Sequence, residues 1–225
     1  MISTIVFTAE DSSADAEDVM QAVLTKGLLA AESAVPKLVP VVDGVRPTTK
    51  ATYWYTRRGP RRENRVRLVE YLADLVARAE TVVAFHYDAD CAWGSTPVVA
   101  SAFTELRADV AALLALRKHD ASLATKLVPI VPHWCMESWT YQHTTEAAAI
   151  CRDANHEESA RRFEAIADDR AALETSDPHA SPQYAHLRKK HNRRLATHPG
   201  FPAAKLLALE MSFAASIRAL AAAIT

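Results

Sequence analysis

The chain has little glycine, five residues in 225. Neither a G-x-G-x-x-G pattern nor a Walker phosphate loop occurs in it, and both need glycine where the backbone approaches a phosphate closely. The sequence therefore disfavours a dinucleotide-binding enzyme and a P-loop nucleotide hydrolase.

Cysteine is scarce as well. Cys91, Cys135 and Cys151 include no C-x-x-C pair, and their odd number disfavours a disulfide framework. No basic segment followed by an apolar run opens the sequence. No apolar stretch reaches the ~18 residues of a membrane span without a charge. We expect a soluble, cytoplasmic protein with no membrane contact.

A charge excess of one sign is also missing, because the formal net charge is −1. No global field draws such a chain to nucleic acid or to an anionic surface. Any contact with nucleic acid would have to come from local basic stretches.

What the sequence does contain is an alternation of strand and helix patterns. Short β-branched and aromatic runs predict strands at residues 2–9, 37–42, 81–87 and 126–131. Helical patterns lie between them, at 14–30, 66–79 and 97–119. This order predicts an α/β fold, a parallel Rossmann-like sheet with helices on both faces.

Strand patterns stop after residue 150. Helices are predicted near residues 157–173, 183–196 and 203–223, separated by Pro-containing segments. We therefore predict an α/β domain over residues 1–150 and a helical C-terminal extension over residues 151–225 that packs on it.

Acidic residues follow three of the predicted strands. Glu10 ends the first, Asp88 and Asp90 end the third, and Glu137 follows the fourth. Ligands of open parallel sheets collect outside the carboxyl ends of the strands. Carboxylates grouped there repel one another unless a cation or a proton is present. Oxygen ligands of this kind suit Mg²⁺, with Mn²⁺ as an alternative.

Together, these segments resemble the Toprim domain of topoisomerases, primases and related nucleases. The first strand closes on a glutamate, in IVFTAE at residues 5–10, and a later strand closes on Asp-x-Asp, in VVAFHYDAD at residues 82–90. IVPHWCMESW at residues 130–139 is similar to a strand-then-Glu-x-Trp element of small stand-alone Toprim-like bacterial proteins, which are often encoded beside an ATPase.

The resemblance implies a Toprim-like sheet and a magnesium-dependent nuclease acting on DNA or RNA. It implies that Asp88 and Asp90 bind the metal, together with Glu10, and that Glu10 is the general acid or base. Glu137 would be a further ligand or a base. It also implies an ATPase partner and a role in anti-phage defence. The family usually has Gly after the first Glu, where this chain has Asp11.

Two basic clusters could bind a phosphate backbone. The guanidinium group of arginine binds a phosphate through two hydrogen bonds at once, and aromatic rings stack on unpaired bases. The first cluster follows the aromatic residues at 53–55 and comprises Arg57, Arg58, Arg61, Arg62, Arg65 and Arg67. The second comprises Arg188, Lys189, Lys190, His191, Arg193 and Arg194.

Three other interpretations stay open. His86, Cys91, His133 and Cys135 flank two strand ends and are ligand types that suit zinc, although their spacing matches no zinc motif. Asp-x-Asp after a buried strand also occurs in glycosyltransferases, where it holds manganese and a diphosphate. The departure at Asp11 is compatible with a degenerate site in a scaffold that recruits a partner such as an ATPase. The sequence leaves homo-oligomerisation open.

Overall fold

A parallel sheet forms the centre of the protein. The computed structural model describes residues 2–9, 14–41, 62–88, 97–178, 184 and 186–225. In this part, strands β1 (Thr4–Phe7), β2 (Lys37–Pro40), β3 (Thr81–His86) and β4 (Leu127–Ile130) pair in the order β2-β1-β3-β4. All three pairings are parallel. The predicted α/β fold with a parallel sheet is confirmed.

Helices connect the strands and continue after the last one. Those before β4 are α1 (Ala14–Ala30), α2 (Arg62–Val76), α3 (Pro97–Leu116) and a 3-10 helix (Ala121–Lys126). Those after β4 are α4 (Glu137–Thr140), α5 (Thr144–Asp153), α6 (Glu157–Ala165), α7 (Arg170–Thr175), a 3-10 helix (Lys189–His191), α8 (Asn192–Thr197), α9 (Ala203–Ala208) and α10 (Ser212–Ile224). None of the helices in the described ranges is long and apolar enough to cross a membrane.

Three of the strands, β1, β3 and β4, bury both of their faces. Successive side chains of a strand point to opposite sides, so each of these strands supplies two cores. One core receives Ile5, Phe7, Val82, Ala84, Val128 and Ile130, together with apolar residues of α1, α9 and α10. The other receives Val6, Val83, Phe85 and Leu127, together with residues of α2 and α3. Every residue of β3 is buried, as expected of a central parallel strand.

The C-terminal helices share the first of these cores. Phe213, Ile217 and Leu220 of α10 are fully buried there, and Gly27 of α1 lies against Ile217 so closely that a β-carbon at Gly27 would stand 2.4 Å from its Cδ1. Helix α10 therefore packs directly on α1 and on the sheet.

A third core lies among the helices that follow β4. It contains Tyr141, Phe163, Leu173, Tyr184 and Leu195 among its members. The predicted boundary at residue 150 falls inside α5 and inside this core. The division into residues 1–150 and 151–225 stays a prediction.

Three predicted helices differ from the structure. In the pattern at 183–196, residues 186–188 are not helical, and the α-helix there is limited to α8 (Asn192–Thr197) after a 3-10 turn. The pattern at 157–173 is divided into α6 and α7 by residues 166–169, and the pattern at 203–223 is divided into α9 and α10. Glu210 between α9 and α10 has a φ of 57°, a left-handed conformation that no α-helix continues through. Apolar periodicity extends across both breaks because the helices on either side face the same core.

A buried carboxyl joins α7 to the start of α10. Glu174 is fully buried and accepts hydrogen bonds from Ser212 Oγ and, at 3.4 Å, from the Phe213 amide. Its Oε2 has no hydrogen-bond partner in the described part of the chain. Burial raises the pKa of Glu174 above its ordinary value, against the opposing effect of these hydrogen bonds.

Replacing Glu174 with Gln should change how stability depends on pH. Because the folded-state pKa is raised, the folded protein holds a proton that the unfolded chain releases, so the free energy of unfolding falls as pH rises above about 4.5. Each unit of pKa difference corresponds to about 1.4 kcal/mol. The uncharged Glu174→Gln variant should therefore gain thermal stability over the wild type between pH 4 and pH 8. An exposed Glu70→Gln variant should not. Equal pH profiles for all three proteins would contradict the assignment.

Candidate functional site

The carboxyl end of β3 is tied to the end of β1. The His86 amide donates a hydrogen bond to Thr8 Oγ1 at 2.7 Å, and the Thr8 amide donates to the Ala84 carbonyl at 3.0 Å. His86 is buried, and its Nε2 lies 3.2 Å from Oδ1 of Asp88. The Asp88 side chain is 23 % exposed. The carboxylate of Asp88 is therefore held at the sheet edge with partial access to solvent.

Glu137 lies beyond the end of the neighbouring strand. β4 runs into residues 131–136, and Glu137 begins the short helix α4. Its side chain is buried, and its Oε1 accepts a hydrogen bond from Asn192 Nδ2 at 2.8 Å. Asn192 in turn accepts one from Thr140 Oγ1 at 3.3 Å, which fixes the orientation of its amide.

The charges of Asp88 and Glu137 both act on the thiol of Cys135. Burial raises the pKa of Cys135, and so do the negative charge of Glu137, a hydrogen bond from the thiol to its carboxylate, and the charge of Asp88. The two carboxylates therefore act on one buried point, although they come from different strand ends. Cys135 is a neutral donor here and not a nucleophile, because a nucleophilic cysteine needs a lowered pKa.

The same group extends to Tyr141 and Arg188. Burial raises the pKa of the Tyr141 hydroxyl, the charge of Glu137 raises it further, and the charge of Arg188 opposes the shift. The Tyr141 ring packs on Tyr184 with centroids 5.2 Å apart. Arg188, from the second basic cluster, thus belongs to the electrostatic surroundings of Tyr141.

The predicted metal ligands are described only in part. Asp88 and Glu137 are described, whereas Glu10 and Asp90 lie outside the described residues. Within the described ranges, no three His, Cys, Asp or Glu side chains are grouped so that they could hold a metal ion. This applies to the zinc interpretation as well, for which His86, His133 and Cys135 are described and Cys91 is not.

The first basic cluster lies mostly outside the described residues, which exclude Arg57, Arg58 and Arg61 and the side chain of Arg62. Arg65 is buried and binds Asp109 with two hydrogen bonds, at 3.0 and 2.6 Å. Its guanidinium is thus engaged with a carboxylate inside the protein, so Arg65 is a structural member of that cluster.

The second basic cluster divides into two parts. Arg188, Lys189 and Lys190 are exposed, and Arg188 Nη1 donates to the Leu187 carbonyl at 2.9 Å. Arg193 instead pairs with Asp15 and Asp18, and Arg194 pairs with Glu146 and Asp153. These last two arginines hold α8 to α1 and α5 and are largely neutralised.

Sequence reasoning missed the polar partners of Glu137. Asn192 lies 55 residues away and carries no local pattern that would indicate a functional role. Tyr141 likewise stands in no sequence pattern that would indicate a functional role. The Glu-x-Trp segment predicted Glu137, but only the packing of α8 against α4 brings Asn192 to it.

The electrostatic link between Cys135 and the two carboxylates can be tested by alkylation. At pH 9, iodoacetamide should modify native Cys135 and Cys151 slowly, since burial raises the pKa of both thiols. An Asp88→Asn/Glu137→Gln variant should react several times faster at Cys135 and unchanged at Cys151, which serves as an internal control. Peptide mass spectrometry measures both rates. An equal change at the two cysteines would indicate loosened packing and contradict the link.

The family resemblance rests on the residues of the chain themselves. Comparisons with protein-family models, curated proteins and solved structures found no match. Function is therefore inferred from the placement and charge of Asp88, Cys135 and Glu137.

Proposed function

We propose that this protein is a magnesium-dependent, Toprim-like nuclease that cleaves phosphodiester bonds of DNA or RNA. The observation that supports it most is that Asp88 and Glu137 follow the carboxyl ends of two adjacent parallel strands, β3 and β4, and that the charges of both act on Cys135. Ligands collect at this edge of a parallel sheet. The resemblance of the strand-end motifs supplies the reaction class.

The donor atoms fit a hard divalent cation. Asp88 and Glu137 offer carboxylate oxygens, which Mg²⁺ prefers, and the resemblance adds Glu10 and Asp90 as ligands from the two strand ends that precede Glu137. Mn²⁺ accepts the same ligands. A bound divalent cation neutralises a phosphate and lowers the pKa of an attacking water.

The protein's own residues have separate tasks in this proposal. Asp88 is partly exposed and would bind metal directly, whereas Glu137 is buried and orders Cys135 and Asn192 around the site. Glu10 would transfer the proton. Arg188, Lys189 and Lys190 would contact the nucleic-acid backbone.

A metal titration with a cleavage assay tests the proposal. We expect calorimetry to detect binding of Mg²⁺ or Mn²⁺ to the wild type, and supercoiled plasmid or tRNA to be cut in a metal-dependent manner. Asp88→Asn should weaken metal binding and lower the cleavage rate about 100-fold, a typical loss when electrostatic stabilisation of a transition state is removed. The Glu70→Gln variant, altered at an exposed carboxylate of α2, serves as the control.

Metal binding by the wild type that vanishes in Asp88→Asn would support the acidic site even if cleavage requires a partner. Absence of metal binding in the wild type, tested also with nucleic acid present, would rule the proposal out. Retained cleavage in a Glu10→Gln variant would remove Glu10 as the general acid or base and weaken the Toprim-like interpretation.

One observation favours a second candidate, the binding scaffold. Glu137 is only 4 % exposed, and its carboxylate already accepts hydrogen bonds from Asn192 and from the Cys135 thiol. A purely structural role accounts for a buried glutamate with these hydrogen bonds, without a metal or a reaction. A stoichiometric copurifying protein such as an ATPase, together with no metal requirement, would favour the scaffold.

The exposed part of the second basic cluster can be tested by the salt dependence of nucleic-acid binding. Each phosphate contact contributes about 0.9 to the slope of log K against log salt concentration. Lys189→Gln/Lys190→Gln should reduce the slope by about 1 to 2 and weaken binding at low salt. Arg193→Gln should change it less, because Asp15 and Asp18 already neutralise Arg193. Equal slopes for the wild type and the double variant would remove these lysines from the interface.

A further inference from the structure

A pocket outside the acidic site lies where the start of α5 meets the residues before α9. Its volume is about 320 Å³, and it is lined by Gln142, His143, Thr144, Thr145, Arg170 and Lys205 on its polar side. Phe201, Pro202, Ala203 and Ala204 form an apolar side. The pocket shares no lining residue with the group around Cys135.

The cations of this pocket lack anionic partners. Arg170 is half-buried, and its Nη1 donates to the Gln142 carbonyl at 2.6 Å. In the described part of the chain neither Arg170 nor Lys205 makes an ion pair with a carboxylate. Burial lowers the pKa of the Arg170 guanidinium, with the charge of Asp168 opposing the shift. A partly desolvated cation without a counter-ion is unfavourable, and an anion from solution would relieve it.

Two of the lining residues, Thr144 and Thr145, stand at the start of a helix. Thr144 and Thr145 begin α5, and their amides precede the first hydrogen bond of the helix, which Ala147 donates to the His143 carbonyl at 2.9 Å. The next amide, of Glu146, is capped by His143 Nδ1 at 3.4 Å. Two amides at a helix N-terminus, beside an arginine and a lysine, form the kind of site that binds phosphate.

Two histidines lie beside these donors. His143 Nε2 and His198 Nδ1 are 2.8 Å apart. Burial lowers the pKa of His143, as do the charges of His198 and Lys26, while the charge of Glu146 opposes them.

We propose that this pocket binds a small phosphate ester. Its phosphate contacts Arg170, Lys205 and the amides of Thr144 and Thr145, and its organic part lies against Phe201 and Pro202. The volume exceeds what a phosphate alone fills, and the apolar wall suits the remainder of an ester. The site does not depend on the nuclease proposal, because it uses neither Asp88 nor a metal.

The test is a titration with inorganic phosphate and with ribose 5-phosphate, in the presence of EDTA, followed by amide NMR of the full chain. The largest shifts should occur at Thr144 and Thr145, and ribose 5-phosphate should bind more tightly than phosphate. Lys205→Glu, an exposed change that leaves the packing intact, should weaken binding about tenfold or more through the lost charge-assisted contact. Arg170→Gln should have a similar effect.

Lys37→Glu, an exposed lysine at the start of β2, is the matched control and should bind as the wild type does. Equal dissociation constants for Lys205→Glu and Lys37→Glu would overturn the proposal. So would shifts centred elsewhere, or equal binding of phosphate and ribose 5-phosphate. Retention of binding in Asp88→Asn supports this pocket, whereas its loss there would place the phosphate at the acidic site and overturn the inference.

Discussion

The burial of β3 on both faces is the constraint on which the rest of the structure depends. β3 lies between β1 and β4, and its residues 82–85 contribute alternately to the two cores beside the sheet. A strand enclosed in this way has no freedom of register, because a slip by one residue would exchange its two faces. The position of its carboxyl end is therefore fixed. Asp88 follows this end closely and contacts His86, which is itself hydrogen-bonded to Thr8.

Buried polar groups link the sheet to the helices that follow it. Glu137 binds Asn192 and Cys135 at the start of α4, and Trp139 of the same helix donates to Ser212 Oγ at 2.9 Å. Ser212 donates in turn to Glu174. Each of these groups would be costly to bury alone, so satisfying them requires α4, α7, α8 and α10 to take one arrangement. The helical part of the chain is therefore specified by polar contacts as well as by its apolar faces.

The sheet could be predicted from the sequence because its signals are local. The apolar run of β3 is continuous, and the helical pattern of α1 matches the structure at both ends. The acidic residues after the strands could be singled out as candidates because ligands of parallel sheets bind outside the carboxyl ends of the strands. The partners of Glu137 did not, since Asn192 is distant in sequence and reaches the site only through the packing of α8. Nor could the neutralisation of Arg193 and Arg194 be predicted, because their carboxylate partners lie on other helices.

Although the net charge is near zero, the local charges differ between the two ends of the short segment 135–143. At its beginning, the negative charges of Glu137 and Asp88 add to burial in raising the pKa of the Cys135 thiol. A few residues later, His143 lines a pocket with Arg170, and the charges of His198 and Lys26 add to burial in lowering its pKa, against the charge of Glu146. Desolvation strengthens the effect of each local charge. The two environments lie at opposite ends of α4, a single helical turn.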